Sequence, residues 1–217
     1  MNAAGIDVIV RGLTIFGAGT ESTGIEFIQG ASLRVENCVI QGFQRPPALG
    51  IRFLPGGGAA QLFVSDTLLA FNGNATTGGG GILVAPRAGA ALVTLQRVQL
   101  DRNFEGLRAS GASGGATFAS VLDSVATTNS SYGFIAVNPA GGPQVVMDIQ
   151  RSTSTLNGGA GIRASGPSAQ VTIGASAVTL NAIGLSAVNG GVIRSYGNNA
   201  VTGNSFNGAA SGPIVLQ

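Results

Sequence analysis

Apolar residues in this chain recur in short alternating runs instead of helical periods. Leu33-x-Val35, Leu62-x-Val64, Val93-x-Leu95, Ala119-x-Val121, Met147-x-Ile149 and Val171-x-Ile173 each put two apolar side chains on one face of an extended segment. That alternation predicts a strand with one face buried. A second short segment follows each run, ending at Ile40, Leu69, Leu100, Ala126, Ser154, Val178 and Val201. A third is marked by a glycine and an apolar residue: Gly24-Ile25, Gly50-Ile51, Gly81-Ile82, Gly106-Leu107, Gly133-Phe134, Gly161-Ile162 and Gly184-Leu185. These glycines are 26, 31, 25, 27, 28 and 23 residues apart, a repeat of solenoid length.

A second marker keeps step with the first. Asn72, Asn103, Asn129, Asn157 and Asn181 precede the glycines by three to nine residues, and Asn204 lies one repeat further on. Asparagine tolerates the left-handed backbone region, and stacked amides hydrogen-bond along a stack, so this column is expected to form a structural ladder at a corner. The predicted inward column Val35, Val64, Leu95, Val121, Ile149 and Ile173 is aliphatic throughout, a core that no single repeat buries alone. Just past it, Asp66, Arg97, Asp123 and Arg151 alternate in sign, which suits pairing between coils about 4.8 Å apart. The glycine-rich stretches 55–59, 77–81 and 111–115 fall between strands and read as loops.

Composition then narrows the function classes. The chain has 217 residues, 36 of them glycine, with 44% hydrophobic and only 9% charged residues. It is therefore read as one folded domain spanning residues 1–217, neither disordered nor carrying a transmembrane segment. It has no histidine and a single cysteine, Cys38, which removes the usual zinc and histidine-base chemistry and any internal disulfide. No cofactor or metal is expected. All eleven cationic side chains are arginine, but the net charge is only +2 and no basic cluster forms, so nucleic acid is not an expected partner.

The stretch Ile6 to Gly17, Gly24-Ile-Glu-Phe27 with Leu33-Arg-Val-Glu-Asn-Cys38, and Ser195-Tyr-Gly-Asn-Asn199 with Asn204 resemble the pectate-lyase-like superfamily of parallel β-helix proteins, in its uncharacterised bacterial branch. The resemblance covers nearly the whole chain. It implies an all-β fold, a right-handed single-stranded parallel β-helix solenoid of about eight coils, roughly 40 Å long at the usual strand spacing. Members include polysaccharide lyases, hydrolases and epimerases as well as adhesins, so the fold alone does not choose a function. The superfamily's lyases use an acidic cluster for calcium together with a basic proton abstractor, and its hydrolases use several close aspartates. The nine acidic residues here are dispersed, and Asp66 and Asp123 are separated by the coil that carries Arg97.

Three functional readings follow. The leading one is a non-enzymatic, exported structural or binding solenoid, secreted or at the cell surface, in contact with polysaccharide or the cell envelope. The second is a polysaccharide-active lyase or hydrolase, or a degenerate relative. The third is a self-assembling module, because the chain starts directly in the strand-like Ile6–Val10, as a mature or truncated form would, and an uncapped solenoid leaves open strand edges.

For binding, Arg52, Arg108 and Arg163 fall on every second coil of one outward column, Glu26, Arg52, Leu83, Arg108, Ile135, Arg163 and Ser186. A row of guanidinium groups about 10 Å apart suits an acidic polysaccharide, the alternative being a solvated face with Glu26 paired to Arg52. For catalysis, Asp101 and Glu105 flank a corner and are the weak candidates for an acid and base pair of the glycosidase kind. The threonine column Thr127, Thr155, Thr179 and Thr202 lacks the second row an ice-binding face would need, and β-propensity accounts for it. Cys38 shares its position with Thr67, Ser124, Ser152 and Ser176, a row expected to face the interior, and Phe63 is the aromatic residue expected on an exposed face.

Overall fold

The computed structural model describes residues 1–214 and arranges them in 24 strands, with no helix among the described residues. The first coil sets the path. β1 (Asp7–Arg11), β2 (Thr14–Phe16) and β3 (Thr23–Phe27) each start a separate sheet, and β4 (Ser32–Glu36) then returns to pair in parallel with β1. Repetition of this path yields parallel sheets of nine, eight and seven strands that start at β1, β2 and β3 respectively. The protein is thus an all-β parallel solenoid of about eight coils, as the repeat predicts.

The core is a set of stacked columns. Val35, Val64, Leu95, Val121, Ile149 and Ile173 pair in register from coil to coil and are fully or almost fully buried. A neighbouring column begins with Phe27 and Phe53, whose rings stack 4.7 Å apart, and continues through Val84, Ala109, Ala136 and Ala164. Large side chains therefore fill the early coils at this position and alanine fills the later ones, so close packing holds only if the other columns compensate for the lost volume.

Two corners are held by buried polar ladders. At the first, the Asn72 side chain donates to Asn103 Oδ1 at 3.0 Å, Asn129 to Asn157 at 2.9 Å, Asn157 to Asn181 at 2.8 Å and Asn181 to Asn204 at 2.9 Å. The Asn103 amide donates to Leu69 O at 2.9 Å, while its backbone N–H donates to Asn129 Oδ1 at 3.0 Å. In the coil before Asn72 the position belongs to Phe43, whose N–H still donates to Asn72 Oδ1 at 3.2 Å.

The backbone reason differs from the one expected. The left-handed residues are Phe71, Arg102, Thr128, Leu156 and Leu180, each one position before an asparagine, with φ between 51 and 57°. That preceding residue turns the chain with its own side chain outward, and the asparagine follows it facing inward. The asparagines are thus chosen for buried amide hydrogen bonds, which satisfy backbone groups the turn takes out of the sheet.

The second corner uses hydroxyl groups. The N–H of Cys38 donates to Thr67 Oγ1 at 3.2 Å, that of Ser124 to Ser152 Oγ at 3.1 Å, and that of Ser152 to Ser176 Oγ at 3.2 Å. Outside it, Arg97 grips Asp66 through two bonds of 2.6 and 2.8 Å, and Arg151 grips Asp123 at 2.8 and 3.0 Å. The alternating column thus resolves into two forked pairs. The arginine hydrogen bonds hold the carboxyls of Asp66 and Asp123 below the ordinary carboxylate range.

The two ends of the solenoid differ. At the C-terminal end, Gly212–Pro213 pairs with Val192–Ser195, Ser211 Oγ accepts the Ile193 N–H at 3.1 Å, and Asn207 Oδ1 closes the asparagine ladder on Asn204 at 3.0 Å. At the N-terminal end, Asn2 bridges to Gln29 beside β3, while β1 and β2 are edge strands of their sheets.

Candidate functional site

The seven-stranded sheet carries the arginine row on its outer face. Glu26, Arg52, Leu83, Arg108, Ile135, Arg163 and Ser186 are in register, so the expected column is formed. Each arginine already has a side-chain partner. Arg52 pairs with Glu26, leaving its buried Nε without an acceptor, Arg108 Nη1 donates to both oxygens of Glu105 at 2.9 and 3.2 Å, and Arg163 lies 5.0 Å over the Tyr132 ring. Two of the three charges on the row are neutralised within the fold, and the third rests on an aromatic face.

Glu105 is the buried carboxyl at this face. Its side chain is only 6% exposed, and burial raises its pKa against the opposing pull of Arg108 and then Arg163. It borders a cavity of about 330 Å³ together with Pro47, Thr77, Leu83, Phe104 and Arg108. The wall of this cavity is the loop after Asn72, in which Asn74 Oδ1 accepts the N–H groups of Thr76 and Thr77 at 2.9 and 3.1 Å. The loop returns at Gly80, where φ is 147° and a Cβ would stand 2.2 Å from Glu105 O, so glycine is required for the close approach.

Asp101 is not brought into this cavity. It faces outward from the eight-stranded sheet, in register with Ala70 and Thr127, and binds Arg102 at 3.3 Å. The corner Arg102–Phe104 thus turns the two carboxylates to different faces, each with its own arginine.

The outer face of the nine-stranded sheet has a different character. One outward column reads Asp7, Ser32, Gln61, Leu92, Phe118, Val146, and the next reads Ile9, Arg34, Phe63, Thr94, Ser120. Together they line an open groove of about 780 Å³. Leu92 and Phe118 are 42% and 40% exposed, which is high for large apolar side chains in the middle of a strand. Phe63, expected on an exposed face, is half-buried instead, because the Arg34 guanidinium lies over its ring at 4.8 Å.

Strand geometry sets the Phe63 and Phe118 positions two strand spacings apart across the sheet and two residues apart along it, about 12 Å in all. Sequence reading singled out Phe63 and missed Phe118 and Leu92. The signal was present, since both occupy outward positions of an alternating run, but the inward neighbour of Phe118 is the small Ala119, which weakens the contrast.

The remaining candidates fall into place as framework. Thr127, Thr155, Thr179 and Thr202 stand in one outward column of the eight-stranded sheet, with the Thr155 and Thr179 hydroxyls 3.2 Å apart. Cys38 is buried in the hydroxyl corner, its thiol directed to Glu36 O at 3.3 Å. Among the described residues no three His, Cys, Asp or Glu side chains gather as a metal site, and no helix is long and apolar enough to cross a membrane. No family model, curated protein or solved structure matches the chain.

Proposed function

We propose that this chain is a non-enzymatic binding solenoid of the pectate-lyase-like kind, and that it holds an extended neutral glycan along the outer face of its nine-stranded sheet. The observation that carries this reading is the groove itself: Phe63, Leu92 and Phe118 are outward-facing apolar side chains among hydroxyl and amide groups on a rigid sheet. Sugar rings have an apolar face and a polar rim. Rings stack on Phe118 and pack against Leu92, while Ser32, Gln61, Thr94 and Ser120 supply hydrogen bonds to hydroxyls. Asp7 and Arg34 bring one charge of each sign to the lining, which favours a neutral chain over an acidic one.

Affinity gel electrophoresis through neutral and acidic polysaccharides tests the proposal. Retardation by a neutral polymer that is insensitive to salt and weakened about tenfold in Phe118→Ala is the expected result. Retardation by acidic polymers alone, abolished by salt, moves the site to the row of Arg52, Arg108 and Arg163, and no retardation by any polymer contradicts glycan binding.

A second reading rests on Glu105. Burial keeps its proton on to higher pH, as a general acid requires, but glycoside cleavage also needs a second carboxyl roughly 5 to 9.5 Å away. Glu105 is the one carboxylate among the residues lining its cavity. Release of new reducing ends from a glycan, lost in Glu105→Gln, would establish this reading in place of the first.

A further inference from the structure

We infer that the cavity beside Glu105 is a binding site for a small apolar monocarboxylate, whose carboxylate lies on a free fork of Arg108 and whose body fills the space under the loop after Asn72. This site is separate from the groove of the nine-stranded sheet and does not depend on glycan binding.

The arginine comes first. Arg97 and Arg151 both spend Nε and Nη2, the side-on fork that matches a carboxylate, on Asp66 and Asp123. Arg108 pairs differently. Its Nη1 alone serves both oxygens of Glu105, at 2.9 and 3.2 Å, while its Nε and Nη2 have no acceptor among the described residues. The pair is neutral in charge, yet the arginine keeps its fork. The Glu105 side chain is 6% exposed and that of Arg108 37%, so a buried carboxylate anchors a guanidinium that still reaches solvent.

The cavity supplies the rest. Its volume of about 330 Å³ is in the range of small-molecule pockets, and Pro47, Leu49, Leu83 and Phe104 give it an apolar lining. Its overhanging wall is fixed: the Asn74 N–H donates to Gly78 O at 3.2 Å, the Gly78 N–H donates to Asn74 O at 2.8 Å, and Asn74 Nδ2 donates to Gln44 Oε1 at 2.7 Å. Gly79, with φ at 85°, lies so close to the neighbouring coil that a Cβ would stand 2.2 Å from Ala48 O. A wall ordered in advance leaves little ordering cost for the ligand to meet.

Charge then selects the ligand. Arg163 stands in register two strands beyond Arg108 in the same outward column, about 10 Å away. Two arginines against one carboxylate leave a net positive charge at this face, which repels a cation. One free fork with one uncompensated charge suits a planar monoanion better than a phosphate dianion.

Amide chemical-shift titration of the full isotope-labelled chain with benzoate tests the site. Saturable shifts are expected at Thr77 to Gly80, at Leu83 and at Phe104 to Arg108. Benzamide, which lacks the charge, and acetate, which lacks the body, each bind about tenfold or more weakly. Arg108→Lys keeps a positive charge against Glu105 but loses the planar fork, and it weakens benzoate binding about tenfold. Leu83→Trp fills the cavity from an outward position and abolishes binding without touching the ion pair. Phe118→Ala leaves benzoate binding unchanged, so this site and the glycan groove stand or fall separately. Equal affinity for benzoate and benzamide, full binding by Arg108→Lys or Leu83→Trp, or no shift at any benzoate concentration would each overturn the proposal.

Discussion

The outer faces of the seven-stranded and nine-stranded sheets are built on the same coils, yet they use their exposed side chains in opposite ways. On the seven-stranded face charge is consumed locally: Glu26 holds Arg52, Glu105 holds Arg108, and Tyr132 holds Arg163. On the nine-stranded face Leu92 and Phe118 stand open in a groove. An exposed pair that is satisfied within its own chain adds little to stability and has less to offer a ligand. An exposed apolar platform gains on being covered. A row of like charges in a sequence is therefore weaker testimony to a binding site than its spacing suggests, because the partners that neutralise it come from other positions and other coils.

The largest expected effect separates the framework from both faces. Asn129 accepts the Asn103 N–H and donates to Leu100 O and Asn157 Oδ1, all while buried. Asn129→Ala leaves those groups without partners and costs about 3 kcal/mol in denaturant unfolding. Glycan retardation measured well below the unfolding transition stays intact, since the groove lies on another side of the coil.

Recognition itself comes next in size. Phe118→Ala removes a stacking platform and weakens glycan binding about tenfold, or about 1.4 kcal/mol, in calorimetric titration. An unchanged affinity would move the site off the nine-stranded face.

Titration distinguishes the corners that border the two faces. Glu105 has its folded pKa raised above 4.5 by burial, so as pH rises past that value the unfolded chain ionises first and stability falls until the folded pKa is passed. Glu105→Gln removes that loss, and its thermal midpoint gains on the parent chain as pH rises from about 4.5. Asp66 and Asp123 behave in the opposite sense. Their folded pKa values are depressed below 3.8, so their contribution is present above that value and is lost as pH falls through the folded pKa. Asp66→Asn therefore flattens the acid limb of the stability profile and leaves the limb above pH 4.5 unchanged.

The smallest effect is expected from the arginine row. Arg108→Ala and Arg163→Ala change glycan affinity less than about twofold, because Arg108 is held by Glu105 and Arg163 by Tyr132 on a different sheet from the groove. A large, salt-dependent loss would reverse the contrast between the faces.

The fold was legible from the sequence because solenoid columns repeat the same requirement in every coil. Asn72, Asn103, Asn129, Asn157, Asn181 and Asn204 stood out for that reason, and so did the aliphatic column from Val35 to Ile173. The cause of the asparagine column was not legible, since the left-handed turn falls on the preceding residue, where Phe71, Arg102, Thr128, Leu156 and Leu180 share no chemistry. The site was harder to see because it does not repeat. Phe63 and Phe118 belong to different columns two coils apart, and Arg34 covers Phe63 from the coil before. Only the register shows that they share a groove. Sequence placed Asp101 and Glu105 close together, but two side chains on either side of a corner can point to different sheets, as these do.

The most direct measurement is an amide chemical-shift titration of the isotope-labelled protein with a soluble neutral oligosaccharide. The account predicts saturable shifts concentrated at Gln61 to Phe63, Leu92 to Thr94 and Phe118 to Ser120, with Arg108 and Arg163 unmoved. Shifts centred on Arg52, Arg108 and Arg163, or none at ligand saturation, would contradict it.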